Sequence, residues 1–251
     1  MRHRLLTSRS YVVIPTRGKE RRSFMHDVNQ LDIAALIDHT LLAPDATPAQ
    51  VEMLCVQAVA HGFKAVCVNP WHLPRAVAVL DGRGPLPITV AGFPLGAGQT
   101  ETKAREAGLA VEQGAVEVDM VLNIGALKGG DANAALRDIA QVVRACSGRP
   151  VKVILETCLL TDEEKALACR LAVDAGAAFV KTSTGFSRSG ATEDDVRLLR
   201  RAVGLGFGVK ASGGVRTLDD VLRMARAGAD RIGTSSGVAI LEQGAARREN
   251  A

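Results

Sequence analysis

Short apolar runs alternate along the chain with longer stretches in which apolar residues return every three or four positions. The first pattern reads as buried parallel strands, the second as helices with one buried stripe. Eight runs stand out: Leu36 to Asp38, Ala65 to Asn69, Ile88 to Ala91, Glu117 to Asn123, Val151 to Glu156, Phe179 to Ser183, Val209 to Ser212 and Arg231 to Gly233. Between successive runs there is room for one crossover helix and two short loops. After Pro48, for example, Val51, Leu54, Cys55, Ala58 and Val59 fall on a single helical face. Five helical stretches close on a glycine just before a strand, at Gly62, Gly114, Gly176, Gly206 and Gly228. A left-handed residue stops a helix in this way. Threonines open others: Thr47 with Gln50 and Thr161 with Glu164 fit the capping box, and Thr192 and Thr217 fit looser forms of it. Eight strand–helix units predict an α/β fold, a closed (β/α)8 TIM barrel in a single domain. An open doubly wound sheet is the competing arrangement, but no GxGxxG turn opens the first helix.

Composition narrows the setting. The chain has 251 residues, 47% of them hydrophobic, enough for one large core. No run nears the ~18 uncharged apolar residues of a membrane span, and no signal-peptide order is present, so a soluble protein without a membrane partner is expected. The formal charge of +4 is unevenly placed: residues 1–30 hold seven of the 31 Arg and Lys but two of the 27 Asp and Glu, leaving 24 bases against 25 acids elsewhere. That balance speaks against a nucleic-acid partner. The expected organisation is a basic extension over residues 1–28, disordered or preceding a true start near Met25, then the barrel over 29–245 and a polar tail over 246–251. The five cysteines lack CxxC spacing, which predicts free thiols in a cytoplasmic protein. The five histidines form no HxH, HExxH or Cys/His pattern, so no metal and no cofactor is expected.

Two lysines carry the chemistry. Lys181 in FVKTSTG and Lys210 in GVKASGG each end an apolar run just before a turn rich in hydroxyls or glycine. Buried strand ends suit an ammonium poorly, whereas a neutral amine attacks carbonyl carbon and turns it into an electron-withdrawing imine. Strands 6 and 7 are barrel neighbours. Two ammonium charges about 5 Å apart repel by roughly 3 kcal/mol at an effective dielectric near 20, enough to bring one amine toward neutrality. Local sequence leaves open which lysine is the nucleophile. Proton transfer points to Asp119 as the best-placed acid, though Glu117 shares its strand face and period does not say which points inward; Asp38 is a second candidate and Lys152 a third amine. The turns Ser212-Gly213-Gly214 and Gly233-Thr234-Ser235-Ser236 follow strands 7 and 8, where barrels commonly hold phosphate, and Arg216 adds a cation nearby.

The segments IDHTLL, AVCVNP, VAGFPLG, EVDMVLNIGALKGGD, VKVILET, FVKTSTGF, VKASGGVRT and GTSS run in that order from about Leu31 to Gly237. Together they resemble the 2-deoxyribose-5-phosphate aldolase family of class I aldolases. The resemblance implies that Lys181 forms the Schiff base, that Lys210 perturbs it, and that Asp119 serves acid/base steps. It also implies that Asp38 and Cys67 line the substrate channel. Thr184, Gly185, Gly213, Gly214, Gly233, Ser235 and Ser236 then contact a phosphorylated sugar, and the protein is a homodimer. Two departures stand out: the terminal tyrosine of some relatives is missing, the only tyrosine being Tyr11, and Phe186 stands where some members carry lysine. The rival readings are a transaldolase-like or heptulosonate-type aldolase and a non-catalytic phosphometabolite-binding barrel.

Overall fold

The computed structural model describes residues 31–249, so the basic extension assigned to residues 1–28 lies outside them. Eight parallel strands close into a barrel in chain order: β1 (Ile37–Leu41), β2 (Ala65–Val68), β3 (Leu86–Ala91), β4 (Glu117–Val121), β5 (Val151–Ile154), β6 (Phe179–Lys181), β7 (Gly208–Ser212) and β8 (Arg231–Thr234). β8 returns to β1, with Asp38 beside Gly233. Around it lie α1 (Pro48–His61), α2 (Leu73–Leu80), α3 (Thr100–Glu112), α4 (Ile124–Lys128), α5 (Ala132–Ala145), α6 (Asp162–Asp174), α7 (Glu193–Val203), α8 (Leu218–Ala227) and α9 (Gly237–Glu249). The α/β barrel expected from the repeated units is present. The last helix reaches Glu249, so most of the stretch assigned to a polar tail is helical.

The strands are buried on both faces, which is why they read as unbroken apolar runs. Outward residues such as Val66, Val118, Met120, Val153, Val180, Val209 and Ile232 meet the helix layer in one large core. Inward residues differ around the circle. On β2 and β3 the lining is apolar, with Ala65, Cys67, Ile88 and Val90 in their own cluster. On the remaining strands it is charged.

The strand ends need correction. β1 begins after a short 3-10 turn and runs on to Leu41. β4, β5 and β6 stop two residues short of their expected ends, because Asn123 caps α4 and Glu156 adopts a left-handed conformation at φ 56°. The helix stops hold at Gly62 and Gly228, and one residue beyond the cap at Gly114 and Gly176. Gly206 is not a stop: α7 ends at Gly204, which takes φ 71° two residues earlier. Thr47, Thr161 and Thr217 form complete capping boxes, while Thr192 accepts a hydrogen bond from the Asp195 amide.

Candidate active site

Both lysines singled out in the sequence point into the barrel, side by side in register on β6 and β7. Between them lies Asp119 of β4. Its Oδ2 is 2.9 Å from Lys181 Nζ and 2.8 Å from Lys210 Nζ. Glu117 and Asp119 both face inward, as their period-two spacing requires. They occupy different depths: Asp119 meets the two lysines, whereas Glu117 lies nearer the strand starts.

The charges form a closed circuit. Asp38 Oδ2 lies 2.5 Å from Lys210 Nζ, which in turn meets Asp119 Oδ2. Asp119 Oδ1 lies 2.7 Å from Lys152 Nζ, itself 2.6 Å from Glu117 Oε2. Arg231 of β8 closes the circle, 3.3 Å from Glu117 Oε2 and donating from Nε to Asp38 Oδ1 at 2.8 Å. Three carboxylates and three cations thus alternate around the barrel, all buried. Lys181 stands outside this ring as a seventh ionisable group, and among the described residues its ion-pair partner is Asp119. Each ring cation meets two carboxylates; Lys181 shares one with Lys210.

Electrostatics separates the two lysines. Burial pushes the Lys181 amine below its usual value; Asp119 opposes that, and the positive charge of Lys210 adds to it. For Lys210 burial works the same way, but the Asp119 and Asp38 carboxylates outweigh it and hold the amine well above its ordinary value. Repulsion between the two amines is therefore not the main cause of the shift at Lys181, as sequence reasoning supposed. A carboxylate sits between them, and dehydration is the larger cause. Burial raises Asp119, yet Lys152, Lys181 and Lys210 prevail and keep it ionised far below the carboxylate range. Asp38 is likewise lowered, burial being overcome by Lys210, Arg231 and Lys152.

Such lowered carboxylates link stability to pH. Their contribution is complete above the unfolded value near pH 4 and is lost as pH falls toward the folded values. Thermal midpoints are thus expected to drop steeply below about pH 4. Asp119→Asn should flatten that acid limb in a pH series of melting curves.

The remaining sequence candidates fall into two groups. Cys67 faces the charged centre from β2, fully buried, its thiol raised by burial and by Asp119. The rim glycines and serines come from neighbouring loops. A Cβ built on Gly213 would lie 3.6 Å from Gly185 Cα, and one on Gly190 would lie 2.1 Å from the Gly213 oxygen, so the loops after β6 and β7 touch backbone to backbone. Gly214 is exposed and Ser235 and Ser236 precede α9, with Ser236 N donating to Thr234 Oγ1 at 2.9 Å. Gly233 lies on β8, where a Cβ would meet Ser212 Oγ at 2.8 Å and Lys210 Cε at 3.1 Å. Arg216 is exposed beyond this rim. Among the described residues no cluster of three or more His, Cys, Asp or Glu is arranged for a metal ion.

Two residues escaped the sequence reading. Arg231 opens β8, and its only local signal is a charge two positions before Gly233 at the start of a buried run. Glu156 braces the β6 loop: its carboxylate accepts from the Thr184 hydroxyl and, at 3.3 Å, from the Thr184 amide. Thr184 Oγ1 accepts in turn from Phe186 N at 3.0 Å. Phe186 then reaches Phe93 edge-to-face, ring centres 5.3 Å apart. Their loops follow β6 and β3, three strands apart in an eight-strand circle, so the two rings bridge the mouth.

A (β/α)8 barrel with a desolvated lysine over a shared carboxylate suits an enzyme of the aldolase class. Comparison with known proteins agrees: the DeoC/LacD family aldolase model matches residues 33–243. The deoxyribose-phosphate aldolase of Geobacillus sp. (strain WCH70) is 57% identical over 212 residues, covering 84% of this chain and 95% of that protein. The deoxyribose-phosphate aldolase of Carboxydothermus hydrogenoformans is 56% identical over 219 residues, 86% and 96% of the two chains. Among solved structures, a putative deoxyribose-phosphate aldolase from Coccidioides immitis aligns with a TM-score of 0.83 at 42% identity, covering 88% of this chain and 87% of that one. The tetrameric deoxyribose phosphate aldolase of Aeropyrum pernix aligns at 0.81 and 37% identity, covering 86% and 92%. The chain belongs to the DeoC/LacD aldolase family.

Proposed function

We propose that this enzyme reversibly cleaves 2-deoxy-D-ribose 5-phosphate to D-glyceraldehyde 3-phosphate and acetaldehyde through a Schiff base on Lys181. The observation that carries this reading is the asymmetry of the two amines, with Lys181 lowered and Lys210 raised over one carboxylate. The relatives named deoxyribose-phosphate aldolase support the substrate.

Neutral Lys181 adds to C1 of the open-chain aldehyde and water leaves, giving a protonated imine. The C3 hydroxyl loses its proton, C3 becomes the new carbonyl, and the C2–C3 electron pair moves into the iminium to give an enamine. Asp119 is held too strongly ionised to be a good lone base. In this reading it is the counter-ion of the iminium, and the proton travels through water between Asp119 and the Lys210 ammonium. Protonation of enamine C2 and hydrolysis release acetaldehyde and restore the amine. The phosphate binds the glycine- and serine-rich rim of β7 and β8, where backbone amides and the start of α9 favour an anion. Asp38 and Cys67 line the channel below. The enzyme acts as a homodimer in the cytoplasm; among the described residues no helix is long and apolar enough to cross a membrane.

Incubation with 2-deoxy-D-ribose 5-phosphate tests the reading: release of acetaldehyde and glyceraldehyde 3-phosphate is expected. Turnover of ketone donors in preference to acetaldehyde would favour the transaldolase-like alternative, and binding without turnover the non-catalytic one. Phe186→Ala opens the mouth without touching the charged centre. It is expected to raise KM with kcat nearly unchanged in steady-state assays, because a wider mouth retains the substrate less well, while loss of the edge-to-face pair lowers stability by about 0.5–1.5 kcal/mol.

A further inference from the structure

The proton and imine steps use Lys181, Lys210 and Asp119, yet four other buried charges, Asp38, Glu117, Lys152 and Arg231, are packed with them. Glu117 and Arg231 meet each other and the neighbouring ring members Lys152 and Asp38, and no contact joins either to Lys181. The charge arithmetic of this cluster is informative. Asp38, Glu117 and Asp119 supply three negative charges, and Lys152, Lys210 and Arg231 supply three positive ones, so the ring is neutral without Lys181. In a dehydrated interior an unbalanced charge is costly. A proton on Lys181 makes the whole assembly positive, and Lys181 is also the cation with the fewest carboxylates beside it. Of the two amines that share Asp119 Oδ2, it is the one that loses its proton first.

We propose that Glu117 and Arg231 are positioning residues that complete this neutral ring and so decide the pH at which Lys181 becomes a free amine. Arg231 fixes Asp38 against Lys210, and Glu117 fixes Lys152 against Asp119. Between them they set how much negative charge Asp119 has left to offer Lys181. The other strands change this little: β2 presents the Cys67 thiol, β3 presents apolar Ile88 and Val90, and Glu156 above β5 is turned to Thr184. The inference rests on Lys181 being the imine-forming amine and deepens that reading.

The two residues carry opposite charges, so their removal moves Lys181 in opposite directions. Glu117→Gln leaves the ring positive and Lys181 gives up its proton more easily. Arg231→Gln leaves it negative and the proton is held to higher pH. The experiment follows reductive ethylation of Lys181 against pH. Acetaldehyde and the amine lose water to form an imine, cyanoborohydride delivers hydride to the imine carbon, and peptide mass spectrometry reads the ethyl-lysine. The midpoint for Glu117→Gln is expected about one pH unit below that of the unaltered enzyme, that for Arg231→Gln about one unit above, and the double variant close to the original.

Shifts in the same direction, or unmoved midpoints while Lys181 is still ethylated, would overturn the inference. A structural role alone produces no opposite pair. If Lys181 of the unaltered enzyme is ethylated at no pH, the functional reading fails and this inference with it, a result distinct from unmoved midpoints. Where a neutral variant does not fold, Glu117→Asp and Arg231→Lys keep the charges and replace it. Their midpoints are expected to stay with the unaltered enzyme, and a displaced midpoint with the charge retained counts against the proposal.

Discussion

Lys181→Met is expected to abolish the acetaldehyde adduct trapped by borohydride and to lower kcat by about five orders of magnitude, the scale on which a covalent nucleophile is lost. The same variant is expected to fold at least as well as the original. Lys181 lies outside the neutral ring, its amine is buried, and an apolar side chain of similar length leaves the balance of the ring intact. Intact mass after borohydride treatment, steady-state rates and a melting curve check all three parts together. An adduct that persists in Lys181→Met would move the Schiff base elsewhere. A large fall in melting temperature would mean that the amine is charged and paired in the resting enzyme.

Asp119→Asn is expected to separate imine formation from turnover. Among the described residues Asp119 is the only carboxylate paired with Lys181, and it holds the proton on, so its neutralisation makes the amine more available. The trapped adduct should therefore still form. Cleavage should not keep pace: without the counter-ion and its part in proton transfer, kcat is expected to fall by about 10²- to 10⁴-fold. The variant also leaves Lys152 and Lys210 short of a carboxylate in a dry interior, which costs about 3–5 kcal/mol of stability on the scale of a broken buried pair. Loss of the adduct together with turnover would instead assign Asp119 to forming the imine.

The barrel was legible because apolar runs recur between helical stretches, several of them closed by a glycine, and that punctuation survives in the structure before β2, β4, β6 and β8, at Gly62, Gly114, Gly176 and Gly228. It failed at Gly206, since Gly204 and Gly206 flank Leu205 and only the backbone conformation tells which of them ends α7. The lysines were legible for a similar local reason, being cations at the ends of apolar runs. Their electrostatics was not. Asp119 precedes Lys181 by 62 residues and Lys210 by 91, and Asp38 meets Arg231 across 193, so no spacing rule relates them. Reading the two amines as a bare pair gave the right neighbours and the wrong principal cause, because the carboxylate between them comes from β4, two strands from β6 and three from β7. The aromatic bridge was hidden likewise. Phe93 and Phe186 belong to separate motifs, and only closure of the circle brings their rings together.

The bare β8 position beside Lys210 has a bearing on redesign. At Gly233 the lysine stem and the Ser212 hydroxyl already occupy the space that the smallest side chain would need. Libraries meant to widen the range of aldehydes would waste their diversity on that wall, where even alanine presses on the Ser212 hydroxyl and on the stem that carries the Lys210 amine. Variation is better spent on Phe93 and Phe186 at the opposite lip, where a new shape alters what enters without disturbing what reacts.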